Sequence, residues 1–290
     1  MRAPLLLLPA ALIGCAAPAE DPDALGLCEP SSSTRAAVVT QLRFARELKD
    51  GIADGFDLDG IETRPGSSSG CGIPDFTSPR FEPGIDNAFA NLVPALELTE
   101  AQAIEPLIQE TINSGELLMM FELEGIDDDA DDPCVDVHLL RGDGPADVSA
   151  AGRLLPGQTF DRALDQPSAL AADVALVDGV LVARGVDFSL PLTVLGVELD
   201  FAVQDAGARI VLTEDGGMRG VFGGGVSVDY LLDLARENIA GDQFGTVEAL
   251  LGLASDLDAD GDGACEQISI AFLFEAVSAH FYEDSMSYEE

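Results

Sequence analysis

Val174-Ala175-Leu176-Val177-Asp178-Gly179-Val180-Leu181-Val182-Ala183 is a pair of short apolar runs separated by Asp-Gly. Both central residues of a tight two-residue hairpin turn need positive φ, which Gly adopts freely and Asp tolerates. The stretch therefore predicts two antiparallel strands. Working outward, strands are expected over residues 188–194, 197–203 and 208–213, and Glu214-Asp215-Gly216-Gly217 turns the chain into another over 218–228. Several of these read as near-continuous apolar runs, which implies cover on both faces. Gly223-Gly224-Gly225 reads as bending or close packing, since no Gly-x-x-x-x-Gly-Lys phosphate loop occurs in the chain.

Upstream, Leu117, Met119, Phe121 and Leu123 alternate with polar residues, and Val135, Val137 and Leu139 resume the pattern. This is a long-looped hairpin. Its tip carries Asp127, Asp128, Asp129, Asp131 and Asp132, read as a solvated, self-repelling turn. Ile268, Ile270, Phe272 and Phe274 predict a last core strand ending near His280. Helical spacing is expected over residues 34–50, through Leu42, Ala45 and Leu48 with Gly51 as a stop, although Val38, Val39 and Thr40 also suit a strand. Further helices are expected after Asp86, which would serve as an N-cap, then after Thr99, and again over 231–254. The fold class is α+β, predominantly antiparallel β, a sandwich or barrel-like meander with a few packed helices.

Charge narrows the function classes. The chain has 53 acidic and 14 basic residues, a formal net charge of −39, and a hydrophobic content of 47%, enough apolar material to fold. Lys49 is the only lysine. Nucleic acid is excluded as a partner, because a phosphate backbone must be met by clustered Lys and Arg. Divalent cations, by contrast, offset the self-repulsion of such a surface.

Two loops have the composition to hold a hard cation. Asp57 and Asp59 in Asp57-Leu58-Asp59-Gly60 open a long turn-forming loop, and Asp86 and Asn87 close it with further oxygen donors. The other is Asp256-Leu257-Asp258-Ala259-Asp260-Gly261-Asp262, with Glu266 beyond it. It resembles the first half of an EF-hand calcium loop, but position twelve from Asp256 is Gln267, not the bidentate Glu. The calcium ligands expected from sequence are thus Asp57, Asp59, Asp86, Asp256, Asp258, Asp260, Asp262 and Glu266. The pairing of Asp-x-Asp-Gly with Gly-x-Asp-Asn ahead of an apolar helix is similar to a family of uncharacterised bacterial outer-membrane lipoproteins. That resemblance implies no activity.

The first residues point the same way. Arg2, the leucines Leu5 to Leu8 and the absence of acid before Leu12-Ile13-Gly14-Cys15 match an export signal. Leu-x-Gly-Cys resembles the lipobox of bacterial lipoproteins, which implies acylation of Cys15 and a membrane held through the acyl anchor. The expected organisation is a signal peptide over 1–14, a lipidated flexible tether over 15–33, and one β-rich domain over 34–290. The expected location is the cell envelope, at the outer membrane or cell surface. Cys28, Cys71, Cys134 and Cys265 then read as two disulfides, with all three pairings open.

Catalytic signatures are sparse: there are two histidines, no His-Glu-x-x-His and no Gly-x-Ser-x-Gly. The expectation is a non-enzymatic, calcium-stabilised surface structural or interaction module with a protein partner of unknown kind. A periplasmic carrier of lipids or other apolar ligands is the alternative, and an acid-pair hydrolase comes third.

Overall fold

The computed structural model describes residues 33–282 apart from 68, 99, 165–167, 195–196 and 239–240. Residues 1–14, Cys15, most of the expected tether, Cys28 and Thr99 lie outside the described residues. The hairpin at Asp178-Gly179 forms as expected. Asp178 and Gly179 both have positive φ, 50° and 72°, and Val177 pairs with Val180. This turn joins β5 (Ala169–Val177) to β6 (Val180–Val194). The meander continues through β7 (Val197–Leu212) and β8 (Met218–Ser227). Upstream, β2 (Met119–Glu124) and β3 (Asp132–Asp143) make the long-looped hairpin, and β9 (Gln267–Phe281) is the last strand.

The first strand is a correction to the sequence reading. Residues 34–44 form β1 (Thr34–Phe44), not a helix. Ala36, Ala37, Val38 and Val39 are consecutively buried, so no side-chain period marks the strand. Of the apparent helical stripe, Leu42 is buried in this strand while Leu48 lies exposed beyond it. Burial of β-branched residues overrides the accidental spacing.

β1 pairs antiparallel with β2 on one side and with β9 on the other. The neighbours then run β2–β3, β3–β5, β5–β6, β6–β7, β7–β8 and β8–β9, all antiparallel. Eight strands thus close into a barrel, the α+β antiparallel class expected. A short β4 (Gln158–Arg162) adds to the ends of β3 and β9.

β2 stops opposite Val38, leaving the rest of that β1 edge without a strand. Helix α2 (Ile104–Asn113), reached through α1 (Phe89–Leu96) and the 3₁₀ turn Glu100–Ala103, supplies the missing partners. Gln109 donates to the Thr40 carbonyl at 2.9 Å, and the Glu105 carboxylate accepts the Phe44 N–H at 3.0 Å. Arg46 clasps Glu105 at 2.6 Å and Glu97 at 3.0 Å, fixing this segment over the strand. Because α2 also contacts β6, on the opposite side of the ring, it closes the barrel mouth, with Ile108 and Ile112 buried in the core.

Phenylalanines fill the interior. Phe222 contacts Phe121, Phe188, Phe272 and Phe274, with ring centroids 5.4–6.2 Å apart. Glycines let the strands approach closely around them: a Cβ at Gly223 would sit 2.1 Å from the Ile270 carbonyl oxygen. An apolar cavity of about 30 Å³ remains, bordered by Phe121, Ala169, Ala206, Phe188 and Phe222. Helices α3 (Val228–Asn238) and α4 (Gly241–Ala254) pack outside, where Leu232, Leu251 and Ala254 meet Ile268 and Ala88.

Phe222 touches more aromatic neighbours than any one replacement can compensate. Phe222→Ala is expected to cost about 3–5 kcal/mol of unfolding free energy, read as a lower urea midpoint with an unchanged slope.

Candidate metal centre

In the loop over residues 45–87, Phe56 is the aromatic ring that seats on the outer barrel wall. Phe56 packs on Val221 and Ala271, and directly over Gly207, where a Cβ would come within 2.7 Å of the ring. Arg209 and Arg184 flank the same ring, their guanidinium carbons 5.8 and 5.6 Å from its centre. Arg209 is itself buried and paired with Asp54, while Arg184 donates to the Asp57 carbonyl at 3.0 Å. The nearby cations are therefore already engaged, and none is directed at the carboxylates that follow.

Those carboxylates converge. Asp57 accepts the Gly60 N–H at 2.8 Å and Asp59 accepts the Ile61 N–H at 2.8 Å, which curls the turn around its own acids. Asp86 returns from the far end of the loop, where its N–H pairs with the Phe56 carbonyl and its carboxylate accepts the Leu58 N–H at 2.7 Å. One oxygen from each of Asp57, Asp59 and Asp86 lies within 4.8 Å of the others. Asp75 lies near enough for its charge to act on Asp86, and it accepts the Thr63 N–H at 2.6 Å. Asp75 was not among the ligands expected from sequence. It belongs to no Asp-x-Asp spacing, and only the paired bridges Phe76–Ile85 and Phe56–Asp86 bring it in.

Asp86 is the electrostatic centre of this group, at 3% exposure. Burial pushes its carboxyl up to about 8, against the Leu58 hydrogen bond, and the charges of Asp59, Asp256 and Asp75 push in the same direction. Burial likewise raises Asp59 and Asp75. Three converging oxygen-only side chains with Asp75 nearby, and no cation paired with them among the described residues, fit a hard divalent ion. Asp86 is not the N-cap expected from sequence. Helix α1 begins three residues later, its N-cap is Ala88, and the Ala88 N–H goes to Ser269 Oγ at 2.7 Å. Asn87 donates to the carbonyls of Ala45 and Asp54, both at 2.9 Å, tying the loop ends together.

The second acidic loop forms a smaller group. Asp258, Asp260 and Asp262 bring carboxylate oxygens within 4.8 Å of one another, and the latter two are exposed. Asp258 accepts the N–H groups of Gly261 and Gly263, both at 2.8 Å. The other two expected ligands are not part of this group. Glu266 accepts the Ala259 N–H at 2.7 Å. Asp256 is buried, accepting the Ser269 N–H at 2.7 Å and the Ser269 hydroxyl. Burial raises the Asp256 carboxyl to about 6, against its bonds to Ser269. Asp256 thus serves the packing of β9 against the start of α1.

The two loops are joined covalently. Cys71 and Cys265 form a disulfide with Cα atoms 5.9 Å apart, linking residues 194 positions apart. Cys134 is also disulfide-bonded. The hairpin-tip acids, expected as a solvated and self-repelling turn, form no cluster among the described residues, and several of them take partners. Asp129 pairs with Arg35 at 2.6 Å, and Asp132 turns inward to accept the N–H groups of Asp127 and Cys134.

Asp86 and Asp256 set a pH dependence for the metal-free protein. A carboxyl raised from 3.8 to about 8 keeps its proton in the folded state after the unfolded chain has released it. Unfolding then releases a proton, so stability falls as pH rises. The melting temperature in EDTA is expected to drop between pH 5 and 8, and Asp86→Asn is expected to flatten most of that slope. Compared with protein-family models, with curated proteins and with solved structures, the chain gives no match.

Proposed function

We propose that this chain is an exported, lipid-anchored envelope protein whose acidic loops bind calcium, acting as a non-enzymatic structural or interaction module. The observation that carries the calcium reading is Asp86, a buried carboxyl held against Asp57 and Asp59 with the neighbouring arginines committed elsewhere. A bound divalent ion would replace the proton that Asp86 otherwise keeps, and would add to stability by mass action. Asp57, Asp59 and Asp86 would hold it, with Asp258, Asp260 and Asp262 as a weaker and more exposed second set. Calcium suits this all-oxygen set, which imposes little rigid geometry. Cys15, in the Leu-x-Gly-Cys context, is the residue that would carry the acyl anchor.

The carrier reading ranks second. An eight-stranded barrel is a shape that holds small ligands in some proteins and is filled by side chains in others. Small-molecule pockets run to roughly 300–1,000 Å³, whereas the cavity here is about 30 Å³. A carrier would have to open the α2 closure.

Calcium is expected to raise the melting temperature at pH 7.5 and EDTA to lower it, and identical curves in the two would defeat the calcium reading. Asp86→Asn is expected to raise the melting temperature in EDTA yet abolish the response to calcium, a reversal that a purely structural carboxylate does not produce. For the anchor, metabolic labelling with a palmitate analogue is expected to tag the expressed chain and to fail for Cys15→Ala.

A further inference from the structure

Two neighbouring turns at the rim of the long loop carry a combination of residues that the fold itself does not use. In the first, the Leu48 N–H bonds the Ile52 carbonyl and the Ile52 N–H bonds the Lys49 carbonyl, both at 2.8 Å. The second is Ser78-Pro79-Arg80-Phe81, closed by the Phe81 N–H on the Ser78 carbonyl at 2.9 Å. The turns lie side by side, because the Thr77 N–H bonds the Gly51 carbonyl at 2.9 Å and the Ala53 N–H bonds the Thr77 carbonyl at 3.2 Å. Together they present Leu48, Lys49, Arg80 and Phe81 to solvent.

Phe81 is the unusual member. It has φ +70°, a left-handed conformation in which a bulky side chain is strained, and it is 82% exposed, so burial returns nothing for that strain. Glycine would satisfy the backbone better. The turn is nevertheless held rigidly. Ser78 is fully buried, its Oγ accepts the N–H groups of Arg80 and Glu82, both at 3.1 Å, and its hydroxyl faces the Glu82 carboxylate at 3.2 Å. A strained aromatic held out on a stiff support is arranged for contact. Beside it stands Leu48, 67% exposed, together with the chain's only lysine.

We propose that these two turns form a phospholipid-contacting tip, with Phe81 and Leu48 entering the acyl boundary and Lys49 and Arg80 reaching lipid phosphates. The tip is convex and small. A stable protein partner needs roughly 20–30 residues from each side, and residues 47–51 with 78–83 fall well short of that. A bilayer needs only the inserted side chains, and long cationic side chains suit its interface. Glu47, Asp50 and Glu82 share the rim; Glu47 is bonded to the Gly51 N–H at 2.6 Å and Glu82 to Ser78. At about 0.15 M salt, charges beyond about 8 Å are largely screened, so the acidic coat elsewhere does not prevent contact at this one point. This inference goes beyond the calcium reading and does not rest on it.

The chain contains no tryptophan, so Phe81→Trp creates a single reporter. The full chain carrying Cys15→Ser, which has no acyl group to confuse the result, is mixed in EDTA with phosphatidylcholine vesicles, with or without phosphatidylglycerol. The expected result is a blue-shifted emission quenched by lipids brominated along the acyl chain with phosphatidylcholine alone, and no stronger when phosphatidylglycerol is present, since three acids stand beside the two bases on the rim. Leu253→Trp, at a residue 78% exposed on α4, is expected to stay unshifted. Phe81→Gly is expected to lower vesicle partitioning roughly ten- to a hundredfold while leaving the melting temperature unchanged or higher. No shift or quenching at position 81 overturns the proposal, as does an equal response at position 253. A lower melting temperature for Phe81→Gly with partitioning retained also overturns it, by assigning Phe81 to the fold.

Discussion

The pairing of the first strand with the last is the constraint on which everything else depends. Ala36 to Phe44 of β1 run antiparallel to Ala279 to Phe272 of β9, and this one ladder turns an open meander into a ring whose one exposed stretch of edge, beyond Val38, is covered by α2. It also sets the position of the acidic loops. The segment that follows β1 carries Asp57, Asp75 and Asp86, and the segment that precedes β9 carries Asp256 and Cys265. Joining the two strands brings both segments to the same flank, where Ala88, Ser269 and Asp256 bond in a chain and the disulfide closes. The contacts that form the ring are distant in sequence, which places this fold among slow-forming β topologies.

The excess of acid is handled in a consistent way. Carboxylates that lie near the barrel are used mainly as acceptors for otherwise unpaired backbone N–H groups in tight or irregular segments. Asp136 accepts from Asp173, Asp187 from Asp205 and Asp131 from Asp178, and each of these three donor residues has positive φ. Aspartate thus stabilises left-handed positions that glycine usually fills. Around Asp86 the carboxylates also crowd one another while one of them is almost fully buried, and that combination distinguishes a candidate ion site from the ordinary use of acid elsewhere among the described residues.

How far the amino-acid sequence revealed this depends on the kind of signal. The hairpins were legible because Asp178-Gly179 and the alternation before Glu124 are local and repeat every two residues. β9 was legible for the same reason, from Ile268 to Phe274. β1 was not, since Ala36 to Val39 are all buried and a strand without a polar face has no period to read. Closure of the ring was also hidden, because nothing near Ala36 marks Ala279 as its partner. Among the acids, Asp57, Asp59 and Asp86 were recognisable from turn spacing. Asp75 and the true role of Asp256 depend on contacts that arise only when distant segments fold together, as does the seating of Phe56 on Gly207.

The bond between Cys71 and Cys265 has a consequence for durability. It spans 194 positions, so a single cut in any connecting segment between them leaves both pieces covalently joined and still laced into the same ring of strands. A nicked molecule can therefore keep its shape, its acidic loops and its place. Wherever a protease reaches such a segment, that tolerance separates damage to the chain from loss of the particle.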